Sequence, residues 1–204
     1  MACALAGFRP GALRPAGFFL TLVGVGDGQG GRSRGQPAAW VALLALIVGL
    51  GYAVVSAYWA AGGRALLSTV GGAFVQAADQ GGALVVTGVW LVVVVKVVAA
   101  VLPMAAVGSW SRPGHPSRGW ERVVRLLAWA DAVILTLYGL VLTAAGLMVQ
   151  AGAIRPGSGA DRRALAWHAY LWDPWFLVWG LLSLSALLLS RAGRGSADDL
   201  SRLT

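Results

Sequence analysis

Four long apolar runs alternate with short stretches of Gly, Pro and Arg along this chain, and those runs set the elements to expect. A hydrocarbon core of ~30 Å takes about 20 apolar residues in a helix. The runs at 38–59, 83–107, 123–149 and 173–190 each come close to that length. The pattern predicts an all-α, polytopic membrane protein with four transmembrane helices bundled over 37–190 and short interfacial helices in the two outer connections. The second run, LVVTGVWLVVVVKVVAAVLPMAAV, is broken by one charge, Lys96, and the third by Asp131.

Local signals set the ends of each run. The first follows Pro37 and carries Trp40 at one end and Tyr58 and Trp59 at the other, as aromatic anchors at two interfaces would. Ala45, Gly49, Gly51 and Ala53 offer it a small-residue face on which a neighbouring backbone can approach closely. The connection 60–82 holds three Gly pairs, which predict turns around a short interfacial helix. Pro113 and Pro116 end the second helix region, and Glu121 suits the first turn of the third. The string DRRALAWHAYLW reads as an amphipathic interfacial helix. Asp173 followed by Pro174 predicts an N-cap and first helical residue for the last span. Residues 1–36 read as a mostly disordered extension, with a cleaved signal peptide or an upstream mis-assigned start as alternatives, and 191–204 as a cytoplasmic tail.

Composition narrows the class. With 58% hydrophobic and 12% charged residues and a mean hydropathy of +0.72, the chain falls far below the ~25% charged residues of soluble domains. The formal charge is +8. The arginines fall between the apolar runs, so their expected use is topology and contact with anionic lipid headgroups rather than nucleic acid. With the N-terminus inside, the cytoplasmic flanks hold Arg32, Arg34, Arg112, Arg118, Arg122, Arg125, Arg191, Arg194 and Arg202, against Arg64, Arg155, Arg162 and Arg163 outside. That places both termini in the cytoplasm. A single cysteine, Cys3, allows no intrachain disulfide.

Candidate chemistry is sparse. A charge at the centre of a spanning helix costs roughly 2.5–3.5 kcal/mol on insertion scales, so it pairs or faces water. Lys96 falls eleven residues before the inner end of its run and Asp131 at a similar depth, so the two are candidates for an ion pair that either fixes helix faces or relays a proton or substrate. Tyr58, Trp59, Trp167, His168, Trp172, Asp173 and Trp175 gather near the outer interface as an aromatic belt with a helix cap, His168 bonding a neighbouring loop. The alternative is an outward-facing polar pocket rimmed by tryptophan. His115 belongs to the opposite side from His168, so a haem held by both is not expected. No metal set, catalytic residue or cofactor is called for.

The strings YWAAGG at 58–63 and WHAYLWDPWF at 167–176 resemble the two signature stretches of the family named domain of unknown function 3995. The resemblance spans roughly 38–190 and implies a small four-helix bacterial membrane protein, hence the inner cell membrane. It implies no activity. The function expected is that of a non-enzymatic structural or accessory component. The alternative is a small transporter or channel-like protein using Lys96 and Asp131. A membrane enzyme would need a nucleophile or metal set that the sequence lacks. Expected partners are membrane lipids, a second copy of the chain or another membrane protein. A reporter active only outside the cytoplasm, fused to Thr204, is expected to stay silent, and a strong signal there would reverse the orientation.

Overall fold

The computed structural model describes residues 36–71, 75–76, 82–108 and 118–201. The N-terminal extension, Asp79, and the basic loop with His115 lie outside the described residues. In chain order the elements are α1 (Gln36–Ala60), a 3-10 turn (Leu67–Thr69), α2 (Ala83–Gly108), α3 (Arg118–Gln150), α4 (Arg162–Trp167), a π turn (His168–Trp172) and α5 (Asp173–Ser201). The described residues form no strand.

Four helical stretches are long and apolar enough to cross a membrane: Gln36–Ala60, Ala83–Gly108, Gly119–Gln150 and Arg162–Ala192. The valine-rich centre of α2 would favour a strand in water. Hydrocarbon offers no partner for backbone N–H or C=O, and a helix satisfies both within the segment. Large apolar side chains accordingly face outward along every span, among them Val54, Leu91, Leu126, Val141 and Leu181. In water such a surface would be a liability, whereas in lipid it is the solvated face. The protein is therefore a multi-pass membrane protein. At ~1.5 Å per residue the 33 residues of α3 reach roughly 50 Å, well beyond a ~30 Å hydrocarbon layer.

Around the bundle the neighbours run α1, α2, α3, α5 and back to α1, with α3 against α5 and α1 against α2 as the most extensive contacts. The buried positions are mostly small: Ala38, Ala42, Ala45 and Ala53 on α1, Ala100 and Ala106 on α2, Ala128 and Ala132 on α3, and Ala186 on α5. Small side chains let helix backbones approach, which is how spans gain dispersion contacts when lipid is as apolar as leucine. The α3–α5 seam is the tightest case. A Cβ on Gly139 would run into the backbone of Leu177, and one on Gly180 into the backbone of Thr136. On α1, Gly49 forms the seat on which the Trp179 ring lies.

One expectation is corrected. Asp173 does not cap the last span: its φ and ψ of −76° and −43° are helical, because the chain is already wound through α4 and the π turn before it. The cap is Asp161, whose Oδ1 accepts from the N–H groups of Arg163 at 2.9 Å and Ala164 at 3.1 Å. Pro174 has no N–H for the carbonyl four residues back, and the ladder widens into the π turn immediately ahead of it. The segment read as a tail from 191 continues α5 as helix to Ser201. In the connection between α1 and α2, residues 67–69 form a 3-10 turn, and most of 72–81, where the rest of the expected helix would fall, lies outside the described residues.

Candidate functional site

The polar and aromatic residues of the bundle converge at the end where α1 finishes and α5 begins, the aromatic end. The π turn sets this up. By adding a residue to the ladder it turns both Trp172 and His168 toward the loop after α1, a use typical of such turns. Trp172 is 2% exposed, and its Nε1–H donates to Thr69 Oγ1 at 3.1 Å. His168 bridges two elements, with Nε2 3.1 Å from the Val70 carbonyl and Nδ1 3.1 Å from Asp173 Oδ1. A carbonyl only accepts, so Nε2 carries a hydrogen. The other ring nitrogen, Nδ1, faces the Asp173 carboxylate, so one imidazole ties the loop to the start of the last span. Asp173 itself is 5% exposed, so its carboxylate is committed to the clasp.

The end of α1 closes over the same loop. Trp59 Nε1–H donates to the Ala65 carbonyl at 2.8 Å, and the Ala65 N–H donates to the Tyr58 hydroxyl at 3.3 Å. Trp175 reaches across to α1, donating to the Val48 carbonyl at 3.1 Å. Behind these bonds the rings stack. Tyr52 stacks on both Trp172 and Trp175, with centroids 5.8 Å and 5.3 Å away, the two indoles themselves lie 6.4 Å apart, and Tyr52 meets the Phe176 ring edge-on at 4.6 Å. Trp59 meets Trp172 edge-on at 5.4 Å, and Trp167 packs at the margin of the same cluster. Tyr58, Trp59, Trp167, His168, Trp172, Asp173 and Trp175 are thus all placed at one end of the bundle, as a clasp between the first loop and the last span.

Lys96 joins this cluster and leaves Asp131 behind. Its ammonium donates to Ser56 Oγ at 2.7 Å and sits 3.6 Å from the Tyr52 ring centroid, with Phe176 at 5.8 Å. Ser56 in turn donates to the Tyr52 carbonyl at 3.2 Å. The expected Lys96–Asp131 ion pair does not form. Side chains on a helix lean toward its N-terminus, and α2 and α3 run in opposite directions, so lysine and aspartate lean apart. Asp131 Oδ2 is buried with no hydrogen-bond partner. Tyr52 and Ser56 went unread in the sequence, although with Trp59 they recur at i, i+4 and i+7 on one face of α1.

Among the described residues no group of three His, Cys, Asp or Glu side chains is placed to hold a metal. The one imidazole at the aromatic end is spent on a carbonyl and a carboxylate. What the arrangement does chemically is fix a loop and hold a cation in a desolvated aromatic cage.

A family model described as "Protein of unknown function (DUF3995)" matches residues 49–183. No curated protein and no solved structure matches the chain.

Removing the imidazole strands both partners, so His168→Ala is expected to cost about 1–3 kcal/mol, the penalty for unsatisfied buried groups. Asp173→Ala should behave similarly, and Asp173→Asn, which still offers Nδ1 an acceptor or a donor, should stay near wild type. Thermal melts in detergent rank the three. Equal losses for Asp173→Asn and Asp173→Ala would show that the clasp depends on charge and not on the hydrogen bond.

Proposed function

The chain belongs to the DUF3995 family of proteins of unknown function, and from that premise we propose that it is a non-enzymatic structural or accessory component of the bacterial inner membrane. The observation that carries the reading is the state of Lys96. A transport lysine needs a changing environment: water on one side, substrate, or a partner carboxylate it can release. Here the ammonium is held by Ser56 and the Tyr52 face at once, between α1 and α2, where the spans pack closely. The side chains of the aromatic end spend their polar atoms on one another and on backbone carbonyls of the loop and of α1. In this reading α1 is sewn to α2 by Lys96 and the first loop to α5 by the clasp, and the product is a rigid outer end. The arginine-bearing end faces the cytoplasm, in keeping with the distribution of basic residues along the chain.

One observation favours a second reading, a small transporter or channel-like protein. Asp131 Oδ2 is buried and unpartnered, and an intramembrane carboxylate without a partner is a default candidate for an ion or proton path. Proteoliposomes separate the two. Full-length protein in phosphatidylcholine–phosphatidylglycerol vesicles is expected to dissipate an imposed proton or potassium gradient no faster than protein-free vesicles. A protein-dependent flux that disappears in Asp131→Leu would overturn the structural reading and establish the second.

A further inference from the structure

At the end of the bundle opposite the aromatic cluster, α3 and α5 border an open cleft of about 450 Å³ lined by Arg122, Arg125, Leu126, Trp129 and Arg191. That volume lies within the ~300–1,000 Å³ of small-molecule sites. Arg122, Arg125 and Trp129 share one face of α3 through their i, i+3, i+7 spacing. Arg191 comes from α5, and its guanidinium carbon lies 4.0 Å from the centre of the Trp129 ring. That position is a cation–π contact, and a guanidinium carries the N–H edges with which arginine reads a phosphate or carboxylate bidentately. Glu121 lies in the first turn of α3. The side walls of the cleft are of another kind. Leu126 is 70% exposed and nearby Trp120 60%, on a helix whose outward face is solvated by lipid.

We propose that this cleft binds an acidic phospholipid, its phosphate held by Arg122 and Arg191 and its acyl chains running along Leu126 and the lipid face of α3. The joint chemistry of the walls selects this occupant. Arg122 and Arg191 at the rim of a span suit a phosphate-bearing anion, and basic pockets between spans are where acidic headgroups bind. Free phosphate would use the arginines and leave the apolar wall without a role. A nucleic acid would need a broad basic face in water, and this cleft opens beside lipid-facing leucine. The proposal is independent of the function assigned to Lys96, which lies at the other end of the cluster of packed rings.

The test uses full-length protein purified in mild detergent and exposed to equal amounts of phosphatidylglycerol and phosphatidylcholine, with bound lipid counted by native mass spectrometry. Wild type is expected to retain phosphatidylglycerol in preference to phosphatidylcholine. Arg122→Gln and Arg191→Gln should each lower that retention about fivefold, the factor that one basic residue near an anionic surface contributes, and the double variant further. Arg155→Gln, an exposed arginine in the connection between α3 and α4, should leave retention unchanged. Arg191→Lys keeps the charge and loses the stacked fork, so an intermediate loss is expected. If Arg191→Gln fails to fold, Arg122→Gln and Arg191→Lys carry the comparison. Equal retention of the two lipids, or equal phosphatidylglycerol retention in wild type and the variants, overturns the proposal. Displacement by inorganic phosphate as effectively as by a short-chain phosphatidylglycerol would identify a free-phosphate site and overturn it as well.

Discussion

A cation placed at mid-depth in hydrocarbon has to find its partners inside the protein, and the way Lys96 does so shapes one whole end of the bundle. Its ammonium reaches α1, where a serine hydroxyl accepts from it and a tyrosine ring covers it. That choice requires Tyr52 to hold its ring flat against the cation, and Tyr52 is kept there by Trp172, Trp175 and Phe176. Those rings come from the end of the π turn and the start of α5. The lysine on α2 is therefore bound up with the position of the last helix through one tyrosine of the first. The π turn that aims Trp172 and the loop that receives its N–H belong to the same set of constraints.

The middle of the bundle works by another principle. There the spans pack through alanine and glycine, and the α3–α5 seam is so close that a single Cβ at Gly139 or Gly180 would meet backbone. Beyond it, at the arginine end, the side chains lengthen again and the chemistry becomes that of a charged rim over an apolar wall. Three zones follow one another along the bundle: a hydrogen-bonded aromatic clasp, a small-residue seam, and a basic cleft. Each reflects what its depth offers a side chain: an interface that rewards amphipathic rings, a core where only close packing pays, and a headgroup layer that attracts cations.

The four spans were legible because in lipid a long apolar run has one viable backbone conformation, so even a valine-rich stretch such as that before Lys96 declares itself a helix. That the aromatic residues would gather at one end was legible for a related reason, since tryptophan and tyrosine collect at interfaces. Their bonds were not. Asp173 and Pro174 have the right chemistry for a helix start, but a cap requires that the chain before it be unwound. Asp161 had already begun the helix twelve residues upstream by accepting from Arg163 and Ala164. The partner of Lys96 was missed because equal depth along two helices says nothing about the direction in which side chains lean or the face they occupy. Ser56 and Tyr52 look like ordinary members of an apolar run until a cation is placed beside them.

The measurement that bears most directly on the anchoring of Lys96 is a double-mutant cycle of Lys96→Met and Ser56→Ala, read as unfolding free energy in detergent. A hydrogen bond to a charged group contributes about 1.5–3 kcal/mol, so the two losses should fall short of additivity by an amount of that order, and Lys96→Met should show no coupling to Asp131→Leu. Additive effects of Lys96 and Ser56, together with strong coupling between Lys96 and Asp131, would contradict the arrangement in which α1 holds the lysine.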